Sequence, residues 1–221
     1  MASSTSRIFL GIKIECAQCH DHPKDNWKRT QFWEFAAFFS SLSREGSTGD
    51  NKSIKIPNVE RVVQAKFLDG VQPDWQGNIG PRKKLADWMT VPNNPYFSRA
   101  TANRLWGYFF GIGIVEPVDE FSDLNSPSHP QLLVELAEQF SLHGFDLKYL
   151  IKSIVLSETY QRSSKQTHEG QIDAHLFAKM LPRGLSPEQL FDSISEATGF
   201  DEVSRPLQDR KSTRLNSSHR T

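Results

Sequence analysis

Hydrophobic residues recur at helical spacing over much of this chain, most clearly in the stretch DLKYLIKSIVLSETYQ at 146–161. Its apolar positions follow the pattern of a helix with one buried face, namely Leu147, Leu150, Ile151, Ile154 and Val155. The acidic residue Asp146 is the expected N-cap. A second helical pattern fills 128–144, and only Gly144 and Phe145 mark the connection between them. The sequence therefore predicts two helices packed as an antiparallel hairpin.

Three further helical segments have recognisable ends. The segment 81–90 opens with a proline in its first turn, a position that tolerates proline. The segment 94–111 opens with an Asn-Pro pair and closes at Gly111, where a glycine is expected just past a helix end. The segment 186–199 starts with a capping box, in which two side chains cap each other's backbone, formed by Ser186 and Gln189. Most of the chain after position 81 is therefore predicted to be helical.

The most aromatic pattern lies near the N-terminus, in TQFWEFAAFFSSL, a helix for which we expect Thr30 as N-cap. A loop rich in Gly and Ser follows it. The alternating run SIKIPNV at 53–59 predicts a short strand, and Pro57 restricts that strand to the edge of a sheet. The stretch 68–81 shows neither the helical nor the strand periodicity of apolar residues and is predicted to be irregular.

These patterns predict a mostly α-helical fold with a minor edge strand or hairpin in a linker. We predict an N-terminal part at 1–44, the linker at 45–80, a helical domain at 81–199 and a disordered tail at 200–221. The end of that tail, RKSTRLNSSHRT at 210–221, is polar, has no apolar period and is typical of translated adapter sequence. We therefore exclude it from the interpretation of fold and function.

The composition is that of a globular protein with a packed interior. Hydrophobic residues make up 37% of the 221 residues and charged residues 24%, and the chain has 15 Phe and 5 Trp. Basic and acidic residues balance at 26 each, and four of the basic residues lie in the last twelve positions. Such a balance argues against a nucleic acid or an anionic membrane as the partner.

No membrane anchor or signal peptide is predicted. The longest apolar run near the N-terminus is IFLGI at 8–12, which Lys13 ends, and it is far shorter than a signal sequence core or a membrane-spanning helix.

Both cysteines of the chain lie in the stretch ECAQCHDH, as Cys16 and Cys19, and His20 follows at once. In the Cys-X-X-Cys-His pattern, two thiols on one turn each bond a vinyl group of haem, and the adjacent histidine is the axial ligand of the iron. The spacing therefore predicts a c-type haem site, with Cys16 and Cys19 as attachment points and His20 as ligand.

Three other interpretations of the motif remain open at this point. Zinc would use both cysteines and one neighbouring histidine, and it needs a distant fourth ligand, for which the candidates are His129, His143, His168 and His175. A redox-active dithiol normally lies between a strand and a helix of a βαβ unit, which this sequence lacks. The third is that both cysteines are reduced or simply bridged and have no further function.

The sequence does not identify the second axial ligand of a haem. Met89 lies downstream of the motif, but it falls on the apolar side of a helix beside Trp88, which favours packing. His22 is too close along the chain to reach the opposite face of the ring. The other candidates are His129, His143 and Met180.

No catalytic constellation stands out, and the sequence leaves open whether the chain is an enzyme. The acidic cluster in VEPVDEFSDL, namely Glu116, Asp119, Glu120 and Asp123, fits no calcium loop and is interpreted as a solvated turn. Asn103 and Arg104 lie within an aromatic helix, where polar side chains usually pair with buried carbonyl or carboxylate groups. Motifs of serine hydrolases, phosphate loops and zinc proteases are absent from the sequence.

Several short sequence motifs of the chain together resemble those of the planctomycete cytochrome-like secreted proteins. In these, a cytochrome-like domain of unknown function precedes a helical planctomycete-type domain of unknown function. The resemblance covers roughly 5–199 and rests on CAQCHDHP, NRLWGYFFG and SHPQLL. It implies that the chain is a fragment that spans the junction of the two domains.

The resemblance also implies a function. It points to an exported, multidomain bacterial protein, periplasmic or extracellular, that carries c-type haem on Cys16 and Cys19 with His20 as axial ligand. Electron transfer is then the expected role, with a redox partner that the sequence does not identify. The alternative is a noncatalytic helical module that binds sibling secreted proteins or polysaccharide, with the motif as a zinc or structural site.

Overall fold

The computed structural model describes residues 1–42, 52–77 and 79–200. Within these ranges the protein is mostly α-helical with one two-stranded antiparallel hairpin, so the predicted fold class is confirmed. The chain forms two compact units, Met1–Leu181 and Pro182–Thr221. Most of the predicted Gly- and Ser-rich loop, and the predicted disordered tail from 201 onward, lie outside the described residues.

The N-terminal segment is built from short helical pieces. Helix α1 (Ala2–Thr5) continues into a π-helical turn, Ser6–Leu10, and a 3₁₀ turn follows at Glu15–Gln18. Helix α2 (Arg29–Ala36) leads into the 3₁₀ helix Ala37–Leu42. Its N-cap is Lys28 rather than the expected Thr30, because the Gln31 side chain accepts a hydrogen bond from the Lys28 backbone N–H at 2.8 Å and closes the first turn earlier.

The linker contains the predicted strand as one arm of a hairpin. Strand β1 (Ser53–Lys55) pairs antiparallel with β2 (Val62–Gln64), with Ser53 opposite Gln64. The strand is shorter than the predicted 53–59, because Pro57 has no N–H to donate and the chain turns there. The stretch predicted to be irregular, 68–81, contains no helix or strand in its described part until α3 begins at Pro81.

Four α-helices follow the linker in the first unit, and the short 3₁₀ helices Glu169–Gln171 and Ala174–Leu176 come after them. The four α-helices are α3 (Pro81–Met89), α4 (Phe97–Phe110), α5 (Pro130–Leu142) and α6 (Leu147–Val155). Helix α4 begins two residues later than predicted, with Tyr96 as its N-cap, and the Asn94 side chain accepts hydrogen bonds from the backbone N–H groups of Tyr96 and Phe97 just before it. Asp146 is the N-cap of α6 as predicted, since its side chain accepts from the backbone N–H groups of Lys148 and Tyr149.

The first unit has two hydrophobic clusters. One gathers the N-terminal segment, the linker and α3 around fully buried Phe35 and Phe38. The other is built by α4, α5 and α6, with members that include Trp106, Phe110, Leu133, Phe140, Leu150 and Ile154. Helix α4 packs against both α5 and α6, and α5 packs against α6, as the predicted hairpin requires. Phe97 at the start of α4 contacts both clusters.

Polar contacts tie the N-terminal segment to the loop after α4. The Phe121 backbone N–H donates to the Gly11 carbonyl at 2.9 Å. Lys13 Nζ lies 2.9 Å from a Glu120 carboxylate oxygen, and Arg7 Nε lies 3.5 Å from Asp119. The N-terminal segment and α4 therefore belong to one packed body.

The described part of the second unit consists mainly of helix α7 (Pro187–Thr198). Ser186 and Gln189 form the predicted capping box, and Gly199 ends the helix in the left-handed region, with φ of +66°. None of its residues is buried.

Among the helices within 1–42, 52–77 and 79–200, none combines the length and apolar character needed to cross a membrane.

Candidate functional site

The Cys-X-X-Cys-His motif lies on the 3₁₀ turn Glu15–Gln18 and the residues directly after it. Two small or apolar neighbours hold this turn against the core, since Ala17 is 0% exposed and Ile14 is 1% exposed. The Trp33 indole N–H donates to the Gln18 carbonyl at 3.0 Å and so ties the turn to α2. The backbone of the motif is therefore fixed from the inside, between the two cysteines.

The reactive side chains of the motif point the other way. Cys16 and Cys19 are both exposed and neither is in a disulfide. Because a 3₁₀ turn repeats every three residues, residues three apart lie on the same side of it. Cys16 lies in the turn and Cys19 is its C-cap, so both exposed thiols belong to the same turn.

The His20 ring is oriented by its own neighbour. Its Nδ1 atom lies 2.7 Å from the Asp21 backbone carbonyl oxygen. A carbonyl oxygen only accepts hydrogen bonds, so Nδ1 is the donor in this contact and Nε2 takes no part in it. Metal-ligating histidines commonly donate their other ring N–H to a carbonyl in this way. Of the two nitrogens of this exposed imidazole, Nε2 is therefore the one left to bind a metal.

The loop after the motif is closed by Asp21 and His22. Asp21 accepts a hydrogen bond from the Arg29 backbone N–H at 2.9 Å, and its other oxygen lies 3.2 Å from Lys28 Nζ. These two contacts lower the pKa of the Asp21 carboxyl below its ordinary value, and the hydrogen bond from the Arg29 backbone contributes most. The His22 backbone N–H donates to the Trp27 carbonyl at 2.8 Å. The residues that follow the histidine are therefore anchored to the start of α2.

A partly apolar groove of about 720 Å³ begins beside the motif at Gln18, and Cys16, Cys19 and His20 are not among the residues that line it. Its apolar wall includes Phe32, Trp33 and Phe39 from α2 and the following 3₁₀ helix, and Ile54 from the hairpin. The two free thiols, the imidazole with an available Nε2 and this neighbouring apolar surface fit the chemistry of a covalently attached haem. We call this groove the motif groove.

The distant ligands that a second axial position or a zinc site would need are each engaged locally. Met89 packs partly buried against the first cluster and Met180 against the second. His143 stacks on Tyr149 with ring centroids 3.6 Å apart, and His129 lies against Phe177. His168 caps a 3₁₀ turn and His175 contacts Asp173. Across the described parts of the chain, no three His, Cys, Asp or Glu side chains form a group that could hold a metal.

The acidic cluster after α4 does form a turn, but it is less solvated than predicted. Asp119 and Glu120 are the partners of Arg7 and Lys13 described above, and Glu116 accepts a hydrogen bond from the Gly113 backbone N–H at 2.8 Å. Glu120 raises the pKa of Lys13, mainly through the hydrogen bond between them. Sequence analysis missed these pairs because the partners lie more than 100 positions apart.

Asn103 behaves as its place in an aromatic helix predicts. Its side chain is 0% exposed, donates to the carbonyls of Val115 and Val118, and accepts from the Val115 backbone N–H. We call these contacts the Asn103 bracket, because they clamp the loop after α4 onto the helix. Arg104 Nη2 donates to the Arg7 carbonyl.

One cavity was not foreseen from the sequence. It has a volume of about 540 Å³ and is lined by the N-terminal segment, the linker, the start of α4 and the loop at 121–127. Arg99 and Trp27 are among its lining residues. Neither belongs to a recognisable motif, so only the folded arrangement brings them together.

Comparison with known families gives two matches. Residues 81–217 match the family PSD1, described as a protein of unknown function (DUF1553), and residues 1–44 match PSCyt2, described as a protein of unknown function (DUF1549). These are planctomycete cytochrome-like and associated domains, so the resemblance predicted from the motifs is confirmed. Families of this type are associated with secreted planctomycete proteins. No curated protein and no solved structure gives a significant match.

Proposed function

This chain belongs to the PSD1 family and carries a PSCyt2 segment before it, and we propose that it is a c-type cytochrome-like protein that transfers electrons within a larger exported protein. Cys16 and Cys19 hold the haem covalently in this proposal, and His20 is its axial ligand. One observation carries the proposal. The Nδ1 atom of His20 is hydrogen-bonded to the Asp21 carbonyl, and two free, exposed thiols lie next to this histidine in the chain.

The attachment chemistry follows from the two thiols. Each S–H adds across one vinyl group, so a carbon–sulfur bond forms, the thiol proton moves to the other vinyl carbon, and no external oxidant or reductant is needed. When bound, the haem iron supplies a one-electron redox couple. Buried Ala17 and the hydrogen bond from the Trp33 indole to Gln18 hold the turn that carries the two thiols, and the contact between Nδ1 and the Asp21 carbonyl leaves Nε2 of His20 as the ring nitrogen for the iron.

The motif groove supports the same function, because a porphyrin needs apolar surface around it. Phe32, Trp33 and Phe39 offer that surface directly beside the attachment turn. A less hydrated environment also shifts the redox potential of haem iron, so these side chains would tune the carrier.

Mass spectrometry tests the proposal. The full chain is produced in bacteria with a c-type haem maturation system, denatured, and measured for a covalent haem adduct and its absorbance spectrum. We expect one adduct on the peptide that contains Cys16 and Cys19. The variant that carries Cys16→Ser and Cys19→Ser should lose it, whereas the control His22→Asn should keep it. A folded wild-type chain without an adduct would refute covalent haem attachment.

The alternative with zinc makes a different prediction in the same samples. Elemental analysis would then find one zinc per chain, lost in the Cys16→Ser and Cys19→Ser variant, and no haem absorbance. A noncatalytic role without either group predicts neither result. The three interpretations are therefore distinguished by one preparation.

A further inference from the structure

The unforeseen cavity lies within the first unit, away from the cysteine motif. We call it the junction cavity, because both family segments and the linker contribute to its wall. Trp27 comes from the PSCyt2 segment, Asp69 from the linker, and Tyr96, Arg99 and Phe121 from the PSD1 segment. Its volume of about 540 Å³ is within the usual range for small-molecule sites.

Arg99 is the polar group that most needs a partner in this cavity. Its Nε atom is buried without a hydrogen bond, and its guanidinium donates none to the described residues. Among the described residues, the guanidinium makes a cation–π contact with the Phe121 ring, with Cζ 5.6 Å from the ring centroid. Two other arginines with a buried Nε, Arg29 and Arg104, each donate a hydrogen bond from Nη2 to a backbone carbonyl. An unpaired, half-buried guanidinium is costly unless a ligand accepts from it.

The other polar side chains of the wall combine three carboxylates, which accept, with amide and hydroxyl groups, which donate and accept. Asp25, Asp69 and Asp123 line the cavity around Arg99. Asp69 is held in place, since it accepts from the Trp88 indole N–H at 2.8 Å. Burial, and then the Asp69 charge, raises the pKa of Tyr96, so its hydroxyl stays a neutral donor. The cavity therefore presents donors and acceptors together.

This mixture selects the chemistry of the ligand. Three carboxylates around one guanidinium disfavour an anion, and the guanidinium disfavours a bare cation. A wholly apolar ligand would leave the Arg99 guanidinium without an acceptor. Hydroxyl groups donate and accept at once, and the rings of Trp27, Tyr96 and Phe121 provide flat apolar faces. We propose that the junction cavity binds a neutral saccharide, with Arg99 donating to its hydroxyl oxygens and an aromatic ring against its C–H face.

Titration with neutral disaccharides tests this site independently of haem attachment. The full chain is titrated with cellobiose, xylobiose and N,N′-diacetylchitobiose by calorimetry, up to about 10 mM. We expect at least one of them to bind. Arg99→Met should weaken that binding at least about tenfold, because a charged hydrogen bond is lost. The control Arg82→Met, at an exposed position of α3, should change it less than about twofold.

A second measurement uses the wild-type chain alone, so that it does not depend on how a variant folds. In NMR spectra, the saccharide that binds should shift the indole signal of Trp27 and leave that of Trp106, in the second cluster, unchanged. Absence of binding by all three saccharides would overturn the proposal. So would tighter binding of phosphate or Ca²⁺ to the same residues, or equal binding by the Arg99 and Arg82 variants.

Discussion

The cysteine turn and the Asn103 bracket treat polar side chains in opposite ways. In the turn, Ile14 and Ala17 are buried and the reactive groups of Cys16, Cys19 and His20 are exposed. In the bracket, the polar side chain is buried, and its amide nitrogen and its oxygen both bond the loop after α4. The difference separates groups kept for an outside partner from groups that hold the fold together. It predicts which substitutions change stability and which change only chemistry.

The largest expected effect comes from a charge placed on the buried side of the cysteine turn. Ala17→Asp puts a carboxylate where no side-chain atom is exposed, and we expect it to lower the free energy of unfolding by at least about 3 kcal/mol. Cys16→Asp makes the same change one position earlier, on the exposed side, and should stay within about 0.5 kcal/mol. Chemical denaturation of both variants measures the contrast. Similar losses in the two would mean that the turn is not anchored from its inner side.

The Asn103 bracket should be nearly as sensitive. Asn103→Leu keeps the size of the side chain but leaves the Val115 N–H and two carbonyls without partners, so we expect a loss of roughly 3 kcal/mol. Asn93→Leu, at an exposed position before α4, is the control and should be close to neutral. Denaturant midpoints of the two variants test this directly. A small loss of stability in Asn103→Leu would show that the backbone groups of the loop find other hydrogen-bond partners.

The sequence predicted the helices well because their signals are local. A capping side chain, an apolar period and a terminal glycine lie within one element, as Asp146 and Gly111 show for α6 and α4. The start of α2 was missed by a small margin, since Gln31 caps the backbone of Lys28 and Thr30 is drawn into the first turn. Local competition between caps decides such boundaries.

The cysteine motif was predictable for the same reason, because Cys16, Cys19 and His20 are contiguous on one turn. The junction cavity was not, since Trp27, Asp69 and Arg99 come from three separate segments. The acidic turn fell between these cases. Its residues were identified, but Lys13 and Arg7, which pair with them, are brought close only by packing of the N-terminal segment onto α4.

Substitution of Gly11 tests how closely the N-terminal segment packs against the α4 region. Its φ is +70°, and a Cβ there would lie 2.6 Å from Phe121 Cδ2, so Gly11→Ala combines backbone strain with a steric conflict. Gly70 has a similar φ of +85° and nothing within 4 Å, so Gly70→Ala carries the strain alone. We expect about 2 kcal/mol for the first variant and about 1 kcal/mol for the second, measured by thermal unfolding. Equal losses would contradict close contact between Gly11 and Phe121.

The ion pair beside Gly11 should have a smaller, pH-dependent effect. Lys13→Met removes the contacts with Glu120 and Asp119, which are partly exposed, so we expect a loss of about 0.5 kcal/mol near pH 7. Because the hydrogen bond to Glu120 raises the pKa of Lys13, its stabilisation is present below the ordinary lysine pKa of about 10.4 and disappears as pH rises through the folded value. The stabilities of wild type and variant should therefore converge in strongly alkaline buffer. A difference that persists there would assign the effect to packing of the lysine stem.

The smallest expected effect concerns the Asp21 carboxyl beside the motif. Its pKa distinguishes the contribution of the Arg29 backbone N–H from that of the Lys28 side chain. The pKa of Asp21 is lowered first by the Arg29 backbone N–H and then by Lys28, so its stabilisation is present above the ordinary aspartate pKa of about 3.9 and is lost as pH falls through the folded value. Lys28→Met should therefore raise the Asp21 pKa only part of the way, as followed by carbon NMR of the carboxyl group. Complete return to the ordinary pKa would mean that Lys28, rather than the first turn of α2, holds the loop after His20.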